Sequence, residues 1–166
     1  MTEQLAVTGI GTYDQYANWA GANKIDVVQP PDNDNTDGVW TNGTTDNRQS
    51  YTLAATAIPP GSTITKVTVH GRHDWYSSAS TCRQFLRLGA NEEYSPQHAL
   101  LEEVWQNFED DIARPGGGAW QIADLATLEA GMHTDTGTRH YCTTFYVIVT
   151  YTPPAAAGTG DMLLVL

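Results

Sequence analysis

The sequence predicts an all-β protein: a two-sheet antiparallel sandwich, jelly-roll-like, with one short connecting helix and a flexible C-terminal arm. Helical periodicity is almost absent, while short alternating or β-branched runs recur between clusters of Gly, Pro, Asn and Asp. Charged residues make up only 16% of the chain, and Thr, Asn, Ser and Gln, which are common on exposed sheet faces, are abundant. A closed barrel is the alternative architecture.

The strands are predicted from these runs, in chain order, at residues 24–29, 38–41, 49–55, 62–73, 82–88, 100–108 and 139–151. The turn at residues 58–61 precedes the fourth strand, because Pro fixes φ and Gly allows the chain to reverse. A short helix is predicted at residues 123–128, where Asp124 suits the N-terminal N–H groups. The inner faces are expected to hold Tyr51, Leu53, Val67, Val69, Leu86, Leu88, Val147 and Val149.

One domain is predicted over residues 1–152, since 166 residues suffice to bury a substantial core. Residues 153–166 form a separate C-terminal arm, which begins with Pro153-Pro154 and continues with Ala and Gly, a composition typical of a linker. The arm ends in five apolar residues, which we expect to dock on another subunit: Met162, Leu163, Leu164, Val165 and Leu166. Packing under their own sandwich is the alternative.

The formal net charge of −11 argues against nucleic-acid binding, because phosphate contacts need clustered Lys and Arg. No apolar run approaches the roughly 20 residues that cross a bilayer, and residues 1–4 lack the pattern of a secretory signal. We therefore expect no nucleic-acid or membrane partner and synthesis in a cytoplasm.

No cofactor or metal is expected. Cys82 and Cys142 match no zinc or redox spacing. Strand alternation points Cys82 inward and Cys142 outward, which argues against a disulfide unless a β-bulge reverses the parity of one strand. His70 and His73 would face opposite sides of their strand. Residues 32–38 resemble a calcium-binding loop, but Thr44 stands where the bidentate Glu belongs.

Four of the eight basic residues fall within two strands that follow one another in the chain: Lys66, Arg72, Arg83 and Arg87. Alternation places all four on the outward face, where we expect a basic stripe that contacts carboxylates of a neighbouring protein. Cross-strand pairing with the protein's own Asp and Glu residues is the alternative.

Asp74, Trp75 and Tyr76 are predicted on a loop after the fourth strand, where aromatic rings and a carboxylate could bind a glycan. The alternative is an aromatic anchor that packs on the edge of the sandwich. Catalysis is not expected, because the adjacent carboxylates at residues 102–103 and 109–111 diverge on a strand and form no hydrolytic pair.

The order of several motifs over about residues 10 to 153 resembles a class of phage and prophage virion proteins. The motifs are Trp19, Asp32-Asn33-Asp34, Tyr51-Thr52-Leu53, Ile58-Pro59-Pro60-Gly61 with Ile64, Val67 and Val69, a late segment at residues 115–132 that contains Trp120, Asp124 and Leu128, and a closing strand with Tyr141-Cys142 and residues 146–151. Three glycines at residues 116–118 replace the more usual single glycine.

This resemblance implies a non-enzymatic structural component of a tailed-phage particle, such as a capsid decoration, head-fibre or tail-accessory protein. The expected partners are a phage capsid or tail protein and further copies of the chain in a homo-oligomer, and the expected location is the virion. A carbohydrate-binding module for adhesion to surface glycans is the alternative, and a glycan-cleaving enzyme is a third hypothesis.

Overall fold

The computed structural model describes residues 1–20, 23–28, 38–41, 46–75, 80–136 and 139–155. Within them the protein is all-β, as predicted, with two short 3₁₀ turns at Asp26–Val28 and Ile122–Ala126. None of the described helical segments has the length and apolar character needed to cross a membrane. The strands are β1 Thr2–Asp14, β2 Ala17–Ala20, β3 Gly38–Trp40, β4 Asn47–Leu53, β5 Thr63–Trp75, β6 Ser80–Leu88, β7 Asn91–Tyr94, β8 His98–Leu100, β9 Gln106–Asp111, β10 Leu128–Thr136 and β11 His140–Thr152.

The strands form two antiparallel sheets, which confirms the predicted sandwich. In sheet A, β5 lies between β9 and β11. The other edge of β11 pairs with the first half of β1 and, further along, with β3. Strand β2 pairs with β3. In sheet B, the order is the second half of β1, then β4, β10 and β6, with β7 and β8 along the outer edge of β6. Strand β1 therefore belongs to both sheets.

The core lies between the two sheets and contains most of the side chains predicted for the inner faces. Tyr51, Val67, Val69, Leu86, Val147 and Val149 are buried there. Leu53 and Leu88, each the last residue of its strand, are half-buried. Alternation thus predicts the inward face correctly along the strand centres and less well where a strand ends.

Several predicted elements differ from the observed ones. The described part of the predicted strand at 24–29 contains the 3₁₀ turn Asp26–Val28 instead of a strand, because the Asn23 side-chain oxygen accepts from the backbone N–H groups of Ile25 and Asp26 and closes a local turn. The run at 100–108 is interrupted by a loop at residues 101–105, where Glu103 has φ +56°. Strands β1, β2, β7 and β10 were not predicted, and the predicted helix is the 3₁₀ turn Ile122–Ala126.

The glycine-rich turn before this 3₁₀ turn is held by Arg114. Its Nε and Nη2 donate to the two Asp124 carboxylate oxygens at 2.7 and 2.9 Å, and its Nη1 donates to the Gly117 carbonyl at 2.7 Å. The hydrogen bond from Arg114 lowers the Asp124 pKa. Residues Gly116 to Gly118 have φ values of +81°, +78° and +78°, a region that costs other residues energy.

We predict that Gly117→Ala lowers the free energy of unfolding by about 1–2 kcal/mol, because a Cβ in the left-handed region is strained. Apart from Gly117 and its two chain neighbours, no atom of the described residues lies within 4 Å of the added Cβ, so the loss of stability would come from the backbone conformation alone. Gly117→Asn is the matched control, since Asn tolerates this conformation better and should cost less. Equal losses for the two variants in urea unfolding would contradict the prediction.

Candidate functional site

The predicted basic stripe is not a single surface. Lys66 and Arg72 lie on β5 in sheet A, whereas Arg83 and Arg87 lie on β6 in sheet B. The expectation assumed that these consecutive strands are neighbours, but the chain crosses from one sheet to the other between them. The outward faces of the two sheets point away from each other, so the stripe prediction is wrong.

Three of these cations instead pair with carboxylates of the protein itself, which confirms the alternative. Lys66 Nζ lies 3.2 Å from an Asp111 oxygen, Arg83 Nε donates to Asp135 at 3.2 Å, and Arg87 Nη1 donates to Glu129 at 3.0 Å. The Arg72 guanidinium lies over the Trp105 ring, 5.2 Å from its centre. Cross-strand charge pairing of this kind is common on sheet surfaces.

On the outer face of sheet B these contacts extend into an ionic cluster of Tyr13, Arg48, Arg87, Glu92 and Glu129. Arg48 Nη1 donates to Glu92 at 3.1 Å, and the Tyr13 hydroxyl donates to the other Glu92 oxygen at 2.5 Å. A register shift between Ile10 and Asp14 brings the end of β1 over this face, where the Thr12 N–H donates to Glu129 at 2.7 Å. The charged side chains of the cluster therefore pair with one another.

Both carboxylates of the ionic cluster have a lowered pKa. Burial alone would raise the Glu129 pKa, but the hydrogen bonds from Thr12 and Ser50 and the charge of Arg87 outweigh it. For Glu92, burial is likewise outweighed by hydrogen bonds from Tyr13 and Tyr94 and by the two arginines. Since both pKa values fall below the usual 4.5, the folded state favours the charged carboxylates.

We predict that Glu129→Gln destabilises the protein at pH 7 by about 1–3 kcal/mol, because it removes the acceptor of several charge-assisted hydrogen bonds. A carboxylate with a lowered folded pKa stabilises above its unfolded pKa, and this contribution disappears as the pH falls through the folded value. The variant should therefore lose less stability than the parent between pH 5 and about pH 3. The exposed Glu93 provides the control Glu93→Gln, and equal pH profiles for parent and Glu129→Gln would contradict the prediction.

Trp75 does not form a glycan-binding surface. It is the last residue of β5 rather than a loop residue, its side chain is 0% exposed, and it packs with Cys82, Leu100 and Phe108 in a small core cluster. Asp74 is half-buried, and its carboxylate accepts from the Trp75 N–H at 2.6 Å. Since a buried ring cannot stack on a sugar, this part of the glycan prediction is wrong, and the aromatic-anchor alternative describes Trp75.

We predict that Trp75→Ala lowers the free energy of unfolding by about 3–5 kcal/mol, as expected for loss of a large buried ring. Trp75→Phe is the matched control and should cost less. It keeps an aromatic ring and removes an indole N–H that has no hydrogen-bond partner among the described residues. A folded Trp75→Ala protein with an unchanged melting temperature would show that the ring is not part of the core.

The outer face of sheet A carries an aromatic face, which consists of Trp40, His70, Arg72, Trp105, Tyr141, Tyr146 and Ile148. Trp40 and Tyr141, on adjacent strands, stack with ring centres 6.0 Å apart and planes 13° apart. His70 and Tyr146 stack in the same way, at 4.6 Å and 11°. All seven side chains are half-buried. Aromatic side chains therefore line the face from β3 across β11 to β5.

Carboxylates border the aromatic face along β9. The Glu109 side chain is 69% exposed and lies 3.4 Å from His70 Nδ1, and the Asp111 side chain is 57% exposed. Burial lowers the His70 pKa more than these carboxylates raise it, so His70 is neutral at pH 7. The face thus combines neutral rings with an acidic border.

Inside the sandwich, a polar chain of Tyr16, Thr134, His140, His73 and Gln84 crosses the core. The Tyr16 hydroxyl lies 2.6 Å from His140 Nδ1, and His140 Nε2 lies 2.9 Å from His73 Nδ1. All five side chains are buried. Burial lowers the pKa of both histidines, that of His140 to about 3, so both rings are neutral at pH 7.

Cys82 lies beside this polar chain, and with His73 and His140 it forms the three-residue group in the described part of the chain that could hold a metal ion. Both cysteines are buried and they are not bridged. The expected outward position of Cys142 is wrong, because a bulge between Cys142 and Thr144 reverses the parity of β11. Of the two cysteine-containing strands, β11 is therefore the one that contains the β-bulge allowed for above.

Some predicted site residues lie outside the described residues. These are Tyr76, most of the Asp-rich run at 32–38, and the apolar C-terminal residues Met162, Leu163, Leu164, Val165 and Leu166. The docking of the C-terminal arm on another subunit stays a prediction.

No protein-family model and no curated protein matches this chain. Among solved structures, it is similar to the C-terminal CBM6 of LamC, a marine laminarinase from Zobellia galactanivorans. The two share 11% sequence identity with a TM-score of 0.49, and the match covers 90% of this chain and all of the other.

Proposed function

We propose that this protein is a non-catalytic structural protein of a tailed-phage virion and that it attaches to a capsid or tail protein, and to further copies of itself, through protein–protein contacts. The virion assignment rests on the resemblance of the sequence motifs. The observation that supports a contact function is the aromatic face, because Trp, Tyr and Arg are enriched at the energetically important positions of protein interfaces.

The aromatic face suits this role better than the outer face of sheet B. On sheet B, the end of β1 covers the carboxylates and the arginines are neutralised by Glu92 and Glu129. On sheet A, the rings of Trp40 and Tyr146 and the Ile148 side chain keep part of their surface accessible. Removing apolar and aromatic surface from water provides the main driving force for association.

The acidic border gives the contact an orientation. Glu109 and Asp111 lie along the β9 side of the aromatic face, whereas Trp40 lies at the opposite side on β3. A partner that carries basic residues opposite β9 would be steered into one orientation, since charge complementarity mainly sets orientation and association rate. Attachment to such a partner should therefore slow as salt is added.

We predict that Ile148→Glu weakens attachment to phage particles or to other copies at least about tenfold, because it places a charge in the middle of the contact. Ile148 is half-buried on the outside of β11, so the substitution should cost the monomer about 1–2 kcal/mol and leave it folded. Ala99→Glu, at an exposed position on the edge strand β8, is the matched control. Co-sedimentation with particles and the molar mass by light scattering provide the measurements.

Undiminished attachment in Ile148→Glu would show that the aromatic face is not the contact surface. Failure of the parent protein to attach to particles, and a monomeric mass at high concentration, would contradict the proposed function itself.

Glycan binding is the second candidate function, and the two ring stacks of the aromatic face favour it. Sugar rings pack on aromatic side chains while neighbouring polar groups bind the hydroxyls, and Asn107 and Glu109 on β9 lie beside these rings. Glycan-array binding that is lost in Tyr141→Ala, together with the absence of particle attachment, would replace the structural role with this one.

A further inference from the structure

We propose that His73, Cys82 and His140 form a binding site for a divalent transition-metal ion, with zinc as the ion whose ligand preferences fit best. One ligand atom from each residue lies within 4.8 Å of the other two, and each side chain is 0% exposed. Imidazole nitrogen and thiolate sulfur are the ligands that zinc takes in proteins, whereas calcium and magnesium take oxygen.

The three residues come from three strands and both sheets. His73 lies on β5 and His140 at the start of β11, where Cys142 pairs with His73 across sheet A, and Cys82 lies on β6 in sheet B. An ion held by all three would therefore link the two sheets through the core. This placement could not be found from ligand spacing, because the three residues lie far apart in the chain.

The distances require only small movements. Zinc bonds of about 2.0–2.1 Å to nitrogen and 2.3 Å to sulfur place tetrahedral ligand atoms about 3.3 to 3.6 Å apart. His140 Nε2 and His73 Nδ1 are 2.9 Å apart and must separate by about 0.4 Å to meet this spacing. The sulfur must approach by at most about 1.2 Å from the 4.8 Å limit.

The ring nitrogens that point away from the site already have hydrogen-bond partners. His140 Nδ1 lies 2.6 Å from the Tyr16 hydroxyl and 3.0 Å from Thr134 Oγ1. With the Gln84 amide turned so that its nitrogen donates to the Val69 carbonyl at 2.8 Å, its oxygen faces His73 Nε2 at 3.4 Å. Metal-binding histidines are typically held through the second nitrogen in this manner.

A glycine leaves room for the His73 ring in this arrangement. A Cβ at Gly71 would lie 2.2 Å from His73 Nε2, so a side chain there would displace the ring. The backbone of β5 therefore contributes to the position of this ligand.

The proton balance of binding is simple. Without metal, one of the two facing nitrogens carries a proton and donates it to the other. When the ion takes the place of this hydrogen bond, that proton moves to the outer nitrogen of the same ring, and the Cys82 thiol releases its proton to solvent. Binding should therefore release one proton per ion, and it requires the thiolate although burial raises the Cys82 pKa.

The site is best tested by refolding the protein in the presence of metal, because the ion then does not have to enter the folded core. The full chain is unfolded in urea and refolded with one equivalent of Zn²⁺ or Co²⁺, unbound ion is removed, and retained metal is measured by mass spectrometry. We expect about one ion per chain, a melting temperature that rises with metal concentration, and a thiolate-to-cobalt absorption band.

Cys82→Ala is the decisive variant, because Cys82 is not a member of the polar chain and its removal leaves those hydrogen bonds in place. Its metal affinity should fall by more than the roughly 10–100-fold that loss of an outer-shell partner costs. Cys142→Ala is the matched control, since it removes the other buried thiol and should retain the ion.

Equal metal retention by the parent and Cys82→Ala would overturn the proposal, and so would a parent protein that refolds without retaining metal. In that case the five residues form a polar network that only orders the core. Should Cys82→Ala fail to refold, the cobalt band decides alone, because its absence in the refolded parent excludes a thiolate ligand.

Discussion

A one-residue bulge in β11, between Cys142 and Thr144, determines which side chains of this strand enter the core and which lie on the outer face of sheet A. Phe145, Val147 and Val149 point into the core, and unbroken alternation would turn His140 and Cys142 outward and Tyr141 inward. The bulge reverses this parity, so His140 and Cys142 are buried and Tyr141 stacks on Trp40 outside. One inserted residue thus creates both the polar chain in the core and one end of the aromatic face.

The sequence predicts the sandwich well because its strand centres alternate regularly. The expected inward positions of Val67, Val69, Leu86 and Val147 are all observed. Strands β1 and β10 escape prediction, since Gly9 and Gly11 interrupt β1 and β10 mixes Glu, Gly, Met and His without clear alternation. Both strands form because they pair with neighbouring strands, and these neighbours cannot be deduced from the local sequence.

The basic stripe and the position of Trp75 were predicted incorrectly, and the reason is the same for both. The basic stripe needed β5 and β6 to be neighbours, and the glycan site needed Trp75 to lie beyond the end of β5. Both depend on where the chain turns or crosses between sheets. The group of His73, Cys82 and His140 was missed because its members meet only across the core. Strand alternation gives the direction of a side chain, but its neighbours depend on topology.

The few cations of this acidic protein have different contacts on the outer faces of the two sheets. With eight Lys and Arg against nineteen Asp and Glu, the carboxylates outnumber the cations by more than two to one. Arg48 and Arg87 are used on sheet B, where they bridge carboxylates that the end of β1 covers, so that face has little left to offer a partner. On sheet A, Arg72 lies on an aromatic ring instead, and the stacked rings beside it are bordered by exposed carboxylates. Because buried charge contributes little net association energy while aromatic surface contributes much, recognition is expected at sheet A.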